Sequence, residues 1–163
     1  IKSQASKKNI QEINYLEIID ENIKVIFKQT GGHSEDSAYV YCPNYKVLFA
    51  GDNLFENMFP YSQDATANPD VWLAVFDEYL NLDVEFYIPG HQNICSKDTI
   101  RNYIKFIKNL RKIMIDLHAE GKTKDEIVKH CFSLNPFEDT IEYEKLKSLK
   151  TRSLENLYDH WVQ

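Results

Sequence analysis

The sequence predicts a layered α/β (α+β) protein with helices packed on one sheet, and three observations carry that expectation. Apolar runs rich in β-branched and aromatic residues come in pairs around turn residues: "INYLEII" and "IKVIFKQT" flank "DEN", and "SAYVYC" and "KVLFA" flank "PNY". Helix-period apolar stripes with capping residues fill the second half. Strands therefore lead and helices follow. A chain of 163 residues, 43% hydrophobic and 27% charged, suits one domain over 1–163 with a real core.

Residues 1–13 form a poorly patterned lead-in, and the two hairpins follow. Asn53 to Ala67 reads as an irregular connection of the kind that borders a site. In "NPDVWLAVFDEYLNL", Asn68 is the N-cap, Pro69 the first helical residue and Asp70 part of the first turn. Its stripe is Val71, Trp72, Val75, Phe76, Tyr79 and Leu80. "VEFYI" is a short strand before Pro89-Gly90-His91. Residues 96–163 are a helical C-terminal region. Ser96 caps a helix that ends at Gly121, with Ile100, Tyr103, Ile107, Leu110 and Met114 inward. Thr123 and Glu126 make a capping box, and a last helix starts near Glu142 with Leu149, Leu157 and Trp161 inward.

The formal charge of −6 argues against a nucleic-acid or membrane-surface binder, because phosphate contacts need a basic face. The lysines between Lys97 and Lys150 alternate with acids and apolar residues, as on a solvated helix face. Cys42, Cys95 and Cys131 are odd in number and far apart, so a reducing cytoplasm is expected rather than a disulfide framework. Cys42 and Cys95 invite a redox role, but such positions are more often those of small buried hydrophobes. The start at Ile1 rather than Met is expected of a processed, trimmed or fragmentary N-terminus.

A recurrence points to chemistry. "IKVIFKQTGG" leads to His33, "KVLFAG" to Asp52 and "VEFYIPG" to His91. Each apolar run stops at a glycine and a good metal ligand follows. A sheet sets its strand ends along one rim, where residues distant in sequence converge, and glycine lets the chain turn without a crowding Cβ. Two imidazoles and a carboxylate suit zinc, iron or manganese. Taken singly, each dipeptide is more often only a turn.

The same residues carry a resemblance. "TGGHSEDS" resembles the Thr-Pro-Gly-His-Thr-x-Gly-Ser element of the metallo-β-lactamase-fold hydrolases. "LFAGDNLF" resembles their aspartate-bearing strand, and "YIPGHQ" their last Pro-Gly-His element. The helices after His91, with "SLENLYDHW", resemble the glyoxalase-II-like branch. The resemblance implies an αββα sandwich of which this chain is the C-terminal half. It implies metal ligation by His33, Asp52 and His91 of one or two zinc ions, with His33 in the first metal site, His91 in the second, and Asp52 bridging the two and serving catalysis. It also implies metal-dependent hydrolysis of an ester, thioester, lactone or similar small-molecule electrophile. The departures are Gly31 in place of proline, Asp36 in place of glycine and Gln92 in place of glycine.

The family's His-x-His-x-Asp-His motif is absent from this chain. His118, His130 and His160 read as helix-face residues, His118 favourably near a helix end. The chain alone is therefore expected to be inactive. Its expected partner is the N-terminal half of the same fold or another chain, a homo-oligomer included. The alternative is a non-catalytic or degenerate module that binds a partner chain and no functional metal centre. Ser34 and Ser37 are expected to stabilise the turn around His33. Asp36 either alters the pocket's charge or faces solvent, and Phe59 and Tyr61 either line a pocket or pack in the core.

Overall fold

The computed structural model describes residues 14–134, 136–137 and 143–162; the 1–13 lead-in lies outside them. The two predicted hairpins form. Strand β1 (Tyr15–Asp20) turns into β2 (Ile23–Gln29), and β3 (Ala38–Cys42) passes through a 3-10 turn at Pro43–Tyr45 into β4 (Val47–Phe55). Helix α1 (Pro69–Asn81) then leads to β5 (Phe86–His91). Helices α2 (Lys97–Ala119), α3 (Lys124–Phe132) and α4 (Tyr143–Trp161) complete the fold.

The helix starts are where the caps place them. The Asn68 side-chain oxygen accepts from the Asp70 and Val71 amides, both at 3.1 Å. Ser96 and Thr99 form a capping box, as do Thr123 and Glu126. The α1 stripe differs from expectation at its edge. Val71 is 36% exposed, and Leu73 is buried instead. Asp70 does more than sit in a first turn: it accepts from Arg111 at 3.1 Å, lies 3.2 Å from His160 Nε2, and so ties α2 and α4 to the start of α1.

The strand order is β1-β2-β3-β4-β5, antiparallel up to β4 and parallel between β4 and β5. Strands β2, β4 and β5 therefore run the same way, and their C-terminal ends share one rim. Helix α1 covers one face of the sheet. Tyr39 packs edge-on to Tyr79 at 5.6 Å and donates to Glu78, and Tyr87 donates to the Tyr79 carbonyl at 3.1 Å. Trp72, Tyr79, Tyr87 and Tyr103 are almost wholly removed from solvent. Each such burial stabilises the fold by about 1.5–3 kcal/mol.

The other face is apolar and, among the described residues, uncovered. Leu16, Phe27, Val40, Phe49 and Ile88 form one row across all five strands. Ile18 pairs with Val25, and Cys42, Val47 and Phe86 continue the next row. Leu16, Ile18, Phe49 and Phe86 are between 40% and 52% exposed, so the row has no layer over it among the described residues.

Candidate functional site

His33, Asp52 and His91 reach the rim by three different local routes. His33 lies in the β2–β3 connection, where Gly31 and Gly32 have φ of 72° and 111°. Proline, whose φ is held near about −65°, could not take the Gly31 position in this turn. The serines hold the turn, as expected: the Ser34 amide donates to Ser37 Oγ at 3.0 Å, and the Ser37 amide to the Ser34 carbonyl at 3.3 Å. Asp36 is exposed and accepts from the Ser34 hydroxyl at 2.6 Å. It does not line the cavity that holds His33.

Asp52 corrects one expectation. It does not follow the end of its strand but lies inside β4, which continues to Phe55. The pairing with β5 shifts register between Phe49 and Gly51 and again between Gly51 and Phe55. That irregularity lets Asp52 project at the rim while Asn53 and Leu54 are buried. His91 is the last residue of β5, paired with Phe55. Gly90 is required by space: a Cβ there would lie 1.9 Å from Asp52 Oδ1. Gln92, just past His91, has φ of 71°, a conformation that favours glycine.

The three side chains line one cavity of about 260 Å³, together with Phe55, Met58, Tyr61, Gln63 and Leu149. His91 Nε2 is 3.4 Å from Asp52 Oδ1. The Phe55 ring stacks on His91 at 5.8 Å and meets His33 edge-on at 6.0 Å. Tyr61 thus lines the cavity, whereas Phe59 is wholly buried in the core. Burial pushes the His33 imidazole below its usual range, against the pull of Asp52 and Asp64. It is accordingly a neutral lone-pair donor at neutral pH. His118, His130 and His160 stay away; His118 bonds Tyr158 at 3.0 Å.

Asn53 is the residue that sequence reasoning missed. It is fully buried, and its amide clamps the turn. Oδ1 accepts from the His33 backbone amide at 2.9 Å, while Nδ2 donates to Thr30 Oγ1 at 3.1 Å and to the Gly31 carbonyl at 3.0 Å. Its own carbonyl accepts from the Trp72 indole at 2.7 Å. A Cβ on Gly32 would stand 2.6 Å from Asn53 Oδ1, so the close approach needs glycine. The signal available was a polar residue inside the apolar run "LFAGDNLF".

Among the described residues no three His, Cys, Asp or Glu side chains together could hold a metal ion. The donor types and the Gly90 cradle around Asp52 nevertheless fit one side of a metal site, with further ligands required from elsewhere.

The site thus sits at one rim of a mixed five-stranded sheet backed by helices, with two imidazoles and a carboxylate around one cavity. The chain belongs to the metallo-beta-lactamase superfamily, whose family model matches residues 3–91. It is similar in structure to a metallo-beta-lactamase family protein from Thermus thermophilus, with 19% identity and a TM-score of 0.64 over 88% of this chain and 44% of that one. A stereoselective inverting sec-alkylsulfatase from Pseudomonas sp. is 18% identical at a TM-score of 0.56, covering 93% and 26%. An archaeal superfamily protein from Sulfolobus tokodaii is 12% identical at 0.56, covering 90% and 50%. The chain thus spans half or less of the length of each, and at these identities the likeness is one of fold. No curated protein matches it.

Proposed function

We infer that this chain is one half of a metal-dependent hydrolase and supplies His33, Asp52 and His91 to its metal centre. The observation that supports this is their arrival, from three separate elements, around one cavity of about 260 Å³. Zinc is the metal that the donor set suits best, with iron or manganese as the other candidates. A bound ion supplies Lewis acidity, lowering the pKa of water and polarising a substrate oxygen. The chain's own part is to prepare the ligands. Asn53 fixes the His33 backbone, burial keeps its imidazole neutral, and Gly90 leaves room for the Asp52 carboxylate beside His91. Asp52 is the catalytic carboxylate: with Oδ1 against His91, Oδ2 is the atom to accept a hydrogen bond from the attacking water and orient it. The substrate is a small molecule with an ester, thioester, lactone or similar electrophile, and the setting is a reducing cytoplasm.

The uncovered sheet face supports a partner. Ten apolar positions in two rows need a second layer, supplied by the N-terminal half of the same fold or by another chain, which also completes the ligand set. The same face favours the second reading, a non-catalytic module that binds through it. Metal analysis separates the two. In the complete protein, replacing His33, Asp52 and His91 together by alanine should abolish or sharply reduce bound zinc. Full retention of metal in that variant would sink the ligand assignment and leave the binding module.

A further inference from the structure

Apart from Gln63, the non-ligand part of the cavity is built from three elements that brace one another. Phe55 ends β4, Met58 and Tyr61 lie on the following loop, and Leu149 comes from α4, far along the chain. The Tyr103 hydroxyl bonds both the Met58 carbonyl and, at 3.3 Å, the Met58 amide. Tyr61 packs edge-on to Phe59 at 5.4 Å. Helix α4 is pinned to the same loop by the Ser62 amide donating to Ser153 Oγ at 2.9 Å and by Asn156 donating to the Ser62 carbonyl at 2.8 Å. The Lys150 ammonium lies 4.2 Å from the Phe132 ring centre and 5.4 Å from that of Phe59, a second tie between α4 and the core. Leu149 is therefore presented to the ligands by a fixed support.

We propose that this wall, Phe55, Met58, Tyr61 and Leu149, seats a short, uncharged apolar chain of the substrate next to the reacting group, a step that rests on the hydrolase reading above. The chemistry of the lining decides the class. Neither lysine nor arginine is among the described residues that line the cavity, and Phe55, Met58, Tyr61 and Leu149 make its non-ligand wall chiefly apolar. An anionic group seated against Phe55, Met58, Tyr61 and Leu149 finds no lysine or arginine among the described lining residues, whereas an aliphatic chain is removed from water against apolar surface. The Met58 thioether adapts to the shape of such a chain. Leu149 is the specificity-determining residue, because among the described residues no other side chain of its helix lines the cavity.

The test is a titration that needs no metal. In the metal-free polypeptide carrying ¹³C-labelled methionine and leucine methyl groups, hexanamide is compared with acetamide and with adipamate, which has the same chain ending in a carboxylate. The Met58 and Leu149 methyl signals should move together and saturate with hexanamide, at an affinity about tenfold or more above that for acetamide. Adipamate should bind more weakly than hexanamide. Leu149→Phe should block hexanamide and Leu149→Ala weaken it, each checked for folding by circular dichroism. Absent or unsaturable shifts, equal affinities for hexanamide and acetamide, tighter binding of adipamate, or a folded Leu149→Phe that binds hexanamide unchanged would each overturn the proposal. If a variant misfolds, the unmodified chain's titration decides by itself. Zinc content in the triple alanine variant reads the hydrolase assignment separately, so either can fail while the other holds.

Discussion

Gly90 and Asp52 share a space that admits only one of them a side chain. A Cβ on Gly90 would stand 1.9 Å from Asp52 Oδ1 and 3.0 Å from the Gly51 carbonyl carbon. The glycine is thus there for room and not for a left-handed backbone. Gly90→Ala should push the Asp52 carboxylate off His91 and cost roughly 1–3 kcal/mol in strain. Thermal denaturation measures the cost, and zinc titration of the complete protein should show weakened binding. A variant as stable and as metal-competent as the parent would show that Asp52 has another position open to it.

Asn53 acts on His33 through the backbone. Asn53→Ala strands the His33 amide and the Gly31 carbonyl in a partly buried place, at a cost on the order of 2–3 kcal/mol. Asn53→Asp is the sharper test, being isosteric but unable to donate to Gly31. It should also destabilise, and the His33 amide resonance should move in both variants. Equal stability of Asn53→Asp would mean that the Nδ2 bonds contribute nothing.

Gln92 departs from the family's frequent glycine, and the backbone shows what that departure costs. At φ 71° a side chain is strained, whereas glycine adopts the conformation freely. Gln92→Gly should raise stability by a net amount of about 0.5–1 kcal/mol once glycine's greater unfolded-state freedom is counted. Chemical denaturation would reveal it as a higher midpoint with unchanged slope. The weak contact of Gln92 Nε2 with Met58 Sδ, at 3.4 Å, is lost in that variant.

What was legible in the sequence was whatever local rules decide. Asn68-Pro69, Ser96 and Thr123-Glu126 announce their helices because capping is settled within a few residues. The convergence of His33, Asp52 and His91 on one cavity was legible because a glycine precedes each of them, and β2, β4 and β5 share one direction. The Asn53 clamp, the Asp70 junction and the placement of Leu149 at the cavity were not legible, since each depends on contacts between elements far apart in sequence. The uncovered face had left a trace: "KVIF" and "YVYC" are apolar on both alternating sides, as in strands covered on both faces.

The cysteines give a prediction with a pH sign. Burial pushes the Cys95 thiol up to about 12 and the Cys131 thiol up to about 11. In the native chain both should resist iodoacetamide at pH 8 and react only on unfolding, while Cys42, half-buried, labels first. The unfolded chain loses these protons near the ordinary 9.0, so it binds fewer protons than the native state between there and the raised values. Stability from these groups is therefore full below that range and falls as pH rises through it. A Cys95→Ala, Cys131→Ala variant should show a flatter alkaline limb in its melting profile. Rapid native-state labelling of Cys95 would contradict the burial on which this rests.

The open sheet face can be tested where its rings protrude. Phe49 and Phe86 are 47% and 48% exposed, so in the isolated chain they contribute little to folding and much to an apolar surface. Replacing both by serine should change stability by less than about 1 kcal/mol. It should also reduce the fluorescence of a bound apolar dye and lower self-association in sedimentation. With the proposed second layer over this face in the complete protein, the same double substitution should cost several times more, because each ring would then be a buried side chain worth about 3–5 kcal/mol on truncation. The contrast between the two backgrounds is what identifies the face as an internal interface. Equal, small costs in both would show that nothing packs against it.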